Sequence, residues 1–365
     1  MPWYQGTVEA AFAAAKSQDK PIFLYWGAEW CPPCKELKSI IFRQDAFIQQ
    51  SELFVPVYLD GDTERAQRYG ERFGVVGYPT VIIFDPKGSE ITRIPGGMNI
   101  EQYVGVLELA LGTIRPMQEL LQSARNGGDM RDDDWRLLAS YSWGQDKSLA
   151  DGPDALHTLL LELATDCPAE VEDAKSRLQL LAFQSWAASE ERDDALADQY
   201  LAAAQTVLDS PGLREENLRE FIEGGALYLN ALDEASAAAL RDPVSELLAA
   251  AVADSSLDVL TRLDAAYALV QVQNTALAEG ESRSAEQQDW VTAQAAALRP
   301  LADSYQEDAA LNRMTYLFRE AGLVEEARVT LLEGVETSDE PYYFMSGLSF
   351  LAMERGDADS AINWS

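Results

Sequence analysis

Over the first 115 residues, short continuous apolar runs alternate with segments whose apolar positions recur every three or four residues. The runs are Ile22-Phe23-Leu24-Tyr25-Trp26, Leu53 to Leu59 and Thr80 to Phe84. All three predict strands, and the continuous run Ile22 to Trp26 is typical of one buried on both faces. Thr7 to Lys16 is Ala-rich with Val8, Ala11 and Phe12 on one face, and Thr63 to Phe73 is rich in Glu and Arg; both predict helices. Asp85-Pro86-Lys87-Gly88 has the residues of a tight turn, so Glu90 to Ile94 reads as a returning strand. Asn99 caps a last helix reaching about Leu111. Strand–helix alternation closed by a hairpin implies an α/β domain, a small mixed sheet with helices on both faces.

From Arg115 onward the pattern changes to long Ala- and Leu-rich segments with apolar positions three and four apart. Leu178, Leu180, Leu181, Phe183 and Trp186 are one such set, and Leu218, Phe221, Ala226 and Leu227 another. Expected helix breaks are Gly127-Gly128, Gly152-Pro153, Cys167-Pro168, Ser210-Pro211, Asp242-Pro243 and Glu279-Gly280. The segments between them predict antiparallel helices. Near the end a repeat can be counted: Leu317, Glu320, Gly322 and Ala327 recur 34 positions later as Leu351, Glu354, Gly356 and Ala361. That period, with its glycine and small-residue step, resembles the tetratricopeptide repeat over about residues 305–365. The expected organisation is residues 1–114 as the α/β domain, 115–304 as an irregular helical-repeat domain and 305–365 as tetratricopeptide-like repeats. The last of these stops partway through a helix at Ala361-Ile362-Asn363-Trp364-Ser365, as a piece of a longer protein would.

Charge sharpens this division. The chain carries 28 Lys+Arg against 61 Asp+Glu, a net charge of −33 over 365 residues. Residues 1–115 hold 11 basic and 14 acidic residues, so −30 belongs to the helical part. A polyanion of this kind is unsuited to nucleic acid or to an anionic membrane surface. No run reaches the roughly 18 apolar residues of a membrane span.

His157 is the one histidine, set in the helical pattern Asp154-Ala155-Leu156-His157-Thr158, and it reads as a surface or helix-packing residue. Ser-His and Cys-His nucleophile pairs have no other histidine to use. The three cysteines, Cys31, Cys34 and Cys167, are too few for a disulfide-stapled secreted fold. Cys167 reads as an isolated thiol at a helix end. A zinc site would have to join Cys31 and Cys34 to Cys167 and His157, a spacing unlike any zinc motif, so no metal is expected.

The chemistry is concentrated in Trp30-Cys31-Pro32-Pro33-Cys34, which opens a helix. A C-x-x-C there brings two sulfurs within disulfide reach. Free N–H groups and the positive end of the helix dipole stabilise a thiolate on the first cysteine. Cys31 is therefore the candidate nucleophile, and the more buried Cys34 the group that resolves a mixed disulfide. Pro32 and Pro33 remove two backbone donors between them.

Gly74-Val75-Val76-Gly77-Tyr78-Pro79-Thr80 follows, with Pro79 45 residues after Cys34. Together with W-C-x-x-C, this stretch makes residues 5–112 resemble the thioredoxin superfamily. The resemblance implies a thioredoxin fold and a cis bond before Pro79; otherwise Pro79 simply starts a strand. It implies that the Tyr78 backbone pairs with an extended peptide and that Trp30, Tyr78 and Gly96 form the groove rim, with Pro32, Pro33, Gly77 and Pro79 also at the substrate site. Residues 20–38 and 41–48 are similar to the C-terminal domain of the transmembrane thiol:disulfide interchange proteins and to exported thioredoxin-like proteins. Two acids usual in those relatives fall on Tyr25 and Lys38 here, which weakens the case for a fast reductase. Tyr25 is either core or a hydrogen-bond donor.

The reading that follows is a thiol:disulfide oxidoreductase with no cofactor beyond the redox-active Cys31–Cys34 pair. Its expected partners are protein thiols and disulfides, a redox partner protein, and a protein or peptide held by the helical arm. The alternative is a redox-assisted chaperone or adaptor in which the arm is the main functional part. The exported relatives imply the periplasm, with the cytoplasm as the alternative.

Overall fold

The structure, a computed structural model, describes residues 2–364 apart from Gly97, Lys147, Asp151, Glu279, Gly280, Gln306, Glu307 and Glu340. The chain divides into two compact units, Met1–Ala203 and Ala204–Ser365.

The first unit is organised around a four-stranded sheet of β1 (Ile22–Gly27), β2 (Val55–Asp60), β3 (Thr80–Phe84) and β4 (Glu90–Ile94), in the order β2-β1-β3-β4. Central β1 runs parallel to β2 and antiparallel to β3, and β4 is antiparallel to β3. Every residue of β1 is buried, which is why its sequence is continuously apolar rather than alternating. The second strand starts at Val55 and not at the expected Leu53. The Val55 N–H is the first to reach across to β1, bonding the Pro21 carbonyl at 2.8 Å, while Leu53 ends a 3-10 turn and is half-exposed.

Five helices accompany the sheet: α1 (Val8–Gln18), α2 (Pro32–Glu36), α3 (Asp45–Gln50), α4 (Glu64–Phe73) and α5 (Ile100–Thr113). Thr7, Thr63 and Asn99 cap α1, α4 and α5 by accepting backbone N–H bonds, as Ser, Thr and Asn do at helix starts. One sheet face buries Ile22, Leu24, Trp26, Val55, Val57, Leu59 and Ile82 with Val8, Ala11, Ala15 and Ala66. The other face holds a cluster of rings that includes Trp3, Phe23, Tyr25, Phe42, Phe47, Phe54 and Tyr58.

The same unit continues through α6 (Met117–Arg125), α7 (Asp132–Ala139), α8 (Pro153–Asp166) and α9 (Glu172–Ala187). Helix α6 packs on β4 and α7 on α5. The turn before α7 is tied by Asp134, whose fully buried carboxylate takes Arg115 at 2.6 Å and Arg131 at 3.0 Å. Burial raises the Asp134 carboxyl, but the bonds from the Arg131 N–H and side chain, with the Arg115 charge, outweigh it and hold it below the usual carboxylate range. A carboxyl depressed in the folded state stabilises above its unfolded value of about 3.9 and loses that contribution as pH falls through the folded value. Asp134→Asn therefore lowers the urea midpoint at pH 7, and the gap to the unsubstituted protein closes below about pH 4; a gap that stays constant with pH would refute this.

His157, on α8, is a packing residue. Its ring lies edge-on to Tyr200, with Nε2 at the Tyr200 hydroxyl, and burial lowers its pKa while Asp154 opposes the shift. Cys167 caps the end of α8; it is buried, and burial pushes its thiol up to about 11.

Helix α10 (Ala197–Asp209) contains the unit boundary. The second unit then follows as α11 (Pro211–Glu216), α12 (Leu218–Ala231), α13 (Glu234–Ala253), α14 (Val259–Asn274), α15 (Ala285–Tyr305), α16 (Asp308–Glu320), α17 (Val324–Thr337), α18 (Tyr342–Glu354) and α19 (Ala358–Trp364). Helices end or begin at Gly127-Gly128, Gly152-Pro153, Cys167-Pro168 and Ser210-Pro211. Glu279-Gly280 lies outside the described residues.

The expected break at Asp242-Pro243 is absent, because Pro243 sits inside α13. A helix-interior proline costs about 3 kcal/mol. Leu240, Val244, Leu247 and Leu248 are buried on both sides of it. At about 1.5–3 kcal/mol for each aliphatic side chain buried, one continuous face outweighs the lost bond.

The 34-residue period is visible in the backbone, since α16 and α18 start and end 34 residues apart. Gly322 and Gly356 turn the chain at φ of +68° and +72°, a region that side chains with a Cβ rarely adopt. The turns carry the same bonds, Leu323 N–H to the Phe318 carbonyl at 2.8 Å and Asp357 N–H to Ala352 at 2.9 Å. Leu317, Ala327, Leu351 and Ala361 are buried at equivalent places. Among the described residues no helix is long and apolar enough to cross a membrane.

Candidate functional site

Strand β1 delivers the chain at the end of the sheet, where Gly27, Ala28 and Glu29 lead into Trp30 and Cys31. Cys31 caps α2 and Cys34 lies within its first turn, and the two form a disulfide with Cα atoms 5.2 Å apart. Cys34 is fully buried and Cys31 3% exposed, so Cys31 is the sulfur nearer to solvent. Pro32 and Pro33 fill the first two helical positions and have no N–H. The first N–H the helix offers is therefore that of Cys34, 3.3 Å from the Cys31 sulfur. Helix α2 passes at Leu37–Ile41 into a π turn, an irregularity common at functional sites.

Pro79 follows a cis peptide bond and is buried. Tyr78 stands between two indoles, stacked over Trp26 with centroids 6.5 Å apart and edge-on to Trp30 at 5.8 Å. Trp30 is half-exposed, and its indole N–H donates to the Asp62 carboxylate at 2.8 Å. Gln67 donates to the Tyr78 hydroxyl at 3.0 Å. Gly61 lies against the same ring, where a Cβ would sit 2.2 Å from it. Gly77 is exposed, with nothing within 4 Å of the place a Cβ would take. Gly96 comes two residues after Ile94, which pairs with Val81, so it emerges at the same end of the sheet as Pro79. The fold thus brings Trp30, Cys31, Tyr78 and Pro79 to one end of the sheet.

Asp62, Gly61 and Gln67 were not singled out from the sequence. The only signal was the Asp60-Gly61-Asp62 turn directly after a strand.

Beneath Cys34, Tyr25 is both core and donor. It is fully buried, and its hydroxyl gives a 3.3 Å bond to the Cys34 carbonyl. Burial, then Tyr58, pushes this phenol well above its usual value. Tyr58 stacks on Tyr25 at 5.4 Å and is itself raised to about 12 by burial and by Asp60, Glu29 and Asp62. The Lys38 ammonium lies 4.9 Å over the Tyr58 ring, a cation–π contact. A hydroxyl that stays protonated can donate to the Cys34 backbone but cannot take the Cys34 proton. Among the described residues no group of three or more His, Cys, Asp or Glu could hold a metal ion.

Residues 8–111 match the family model for the thioredoxin-like domain. The thiol:disulfide interchange protein DsbD of Yersinia pestis (strain Pestoides F) is 33% identical over 98 residues, which cover 26% of this chain and 16% of that protein. Its namesake from Ralstonia nicotianae (strain ATCC BAA-1114 / GMI1000) is 33% identical over 112 residues, 29% of this chain and 18% of the relative. The chain thus matches less than a fifth of the length of either relative. A solution structure of a thioredoxin from Thermus thermophilus is similar at 25% identity and a TM-score of 0.28, over 30% of this chain and 85% of that one. Residues 8–111 are a thioredoxin superfamily domain.

Proposed function

We propose that this protein exchanges disulfides with other proteins through Cys31 and Cys34. The observation that carries the reading is the Cys34 N–H held 3.3 Å from the Cys31 sulfur at the start of α2. Once the pair is reduced, that donor and the helix end stabilise negative charge on Cys31, and the thiolate is the nucleophilic form. Cys31 attacks one sulfur of a substrate disulfide, forming a mixed disulfide and expelling one substrate thiolate. Cys34, on losing its proton, attacks the Cys31 sulfur and expels the second. Two electrons pass to the substrate, and the Cys31–Cys34 disulfide returns. Run backwards, the same steps oxidise a substrate dithiol. A thiol reductant or a disulfide partner sets the direction by re-reducing or re-oxidising the pair, with no further cofactor.

An extended peptide would lie along the backbone of Gly77, Tyr78 and Pro79, with Trp30 and Gly96 as rim and Pro32 and Pro33 at the dithiol. The periplasm suits this chemistry and the likeness of residues 20–48 to exported relatives. The second unit is read as a protein-binding arm. Tyr342, Phe350, Met353 and Ile362 are 54–72% exposed on its last two helices, and apolar side chains exposed together in one patch mark interaction surfaces. A chaperone or adaptor role for the arm rests on the same observation.

Cys34→Ser tests the exchange. Without the resolving thiol, the mixed disulfide accumulates on Cys31, so non-reducing electrophoresis of the source cell's extract shows covalent adducts that dithiothreitol releases. The same adducts formed by a Cys31→Ser variant would assign the attack to the wrong sulfur.

A further inference from the structure

Strand β4 is an edge strand, yet four of its five residues are buried, including Thr92 and Arg93. A turn from outside the thioredoxin-like domain, Tyr141–Asp146, covers it. Within that turn the Ser142 N–H bonds the Arg93 carbonyl at 3.0 Å, closing part of the open edge. The Arg93 side chain then reaches both ways. It donates to the Gln145 carbonyl at 2.6 Å, and to the Phe73 and Gly74 carbonyls, where α4 hands over to the loop 74–79. Glu90 and Asp146 balance its charge, and the Tyr141 hydroxyl lies 2.7 Å from an oxygen of each. The other end of the loop is held by the same turn, since Gln145 Nε2 donates to the Pro79 carbonyl at 3.0 Å. Val76 and Gly77 between these two ties are exposed.

We propose that Gln145 is a positioning residue for disulfide exchange, fixing the Tyr78–Pro79 backbone in the orientation that docks a substrate peptide. This rests on the oxidoreductase reading and adds to it a residue well beyond the matched domain. The carbonyl of Pro79 is turned to Gln145, which leaves the Tyr78 backbone as the edge an extended chain can pair with. The dithiol is not touched by Gln145, so the effect falls on docking rather than on sulfur chemistry.

The test uses the full chain with Gln145→Leu, which is apolar, and Gln145→Glu, which keeps the length but cannot donate when ionised. For insulin reduction the KM of both variants rises about three- to tenfold, the factor a single net hydrogen bond is worth. The kcat changes by less than about twofold, and the single-turnover rate of the reduced protein with hydroxyethyl disulfide stays the same. So does the equilibrium of the Cys31–Cys34 pair with glutathione. An unchanged KM in both variants overturns the proposal, as does an equal loss with insulin and with hydroxyethyl disulfide. If the unsubstituted protein reduces neither, the oxidoreductase reading itself is overturned, a result distinct from an active protein insensitive to Gln145.

Discussion

Cys31→Ser reduces turnover of insulin disulfides to the uncatalysed rate. A serine hydroxyl is not ionised near neutral pH and cannot form the S–S bond on which both half-reactions depend. The loss is therefore not a matter of degree, and neither excess reductant nor higher substrate concentration restores it. The fold should survive, because the change replaces one atom at the helix cap and serine is itself a good cap residue. The check is an insulin reduction assay beside the unfolding curves of the reduced proteins. Turnover comparable to that of the unsubstituted protein would show that the exchange runs elsewhere. Cys167 is a poor substitute, since it is buried and its thiol is pushed up to about 11.

Arg93→Met is expected to be the most damaging change away from the dithiol. Arg93 is 2% exposed, and burial opposes its charge, but bonds and charges from Glu90, Tyr141 and Asp146 outweigh that and raise its pKa. Its guanidinium also supplies the carbonyls of Phe73, Gly74 and Gln145. Removing it leaves two carboxylates facing each other across the Tyr141 hydroxyl and takes a donor from three carbonyls. Breaking a buried ion pair from one side costs about 3–5 kcal/mol. Arg93→Lys recovers only part, because one ammonium cannot match a five-donor fork. Urea unfolding followed by tryptophan fluorescence measures both. A loss within about 0.5 kcal/mol, the usual range for surface substitutions, would overturn this account of Arg93.

Much of the thioredoxin-like domain was legible in the sequence because its signals are local. The apolar runs at 22–26 and 80–84 became β1 and β3, and Thr7, Thr63 and Asn99 stand at helix starts, where side-chain oxygens meet free N–H groups. The W-C-P-P-C motif placed both sulfurs on one helical turn, and the cap geometry followed from three residues of spacing. The 34-residue period was equally readable, since each copy needs its own turn glycine and its own small residue. Pro243 shows where such local reading ends. Proline is a break in isolation, but burial of the side chains around it kept α13 whole.

What surrounds the dithiol was decided by tertiary structure. No spacing rule links Trp30 to Asp62 or Tyr78 to Gln67 and Gly61, because each pair spans separate elements brought together by the sheet. Tyr25 could be read as core or as donor, and only its place behind Cys34 made it both. The same holds for Glu90-Ile91-Thr92-Arg93-Ile94, which reads in the sequence only as a returning strand. Their burial depends on a turn some 50 residues further on, which the sequence around β4 does not mention. Amino-acid order by itself determined most of the elements of the thioredoxin-like domain, the repeat and the reactive pair, since caps, turn residues and apolar periodicity act within a few residues. Which groups flank that pair, and that a segment beyond residue 111 braces the loop to Pro79, followed only from long-range packing.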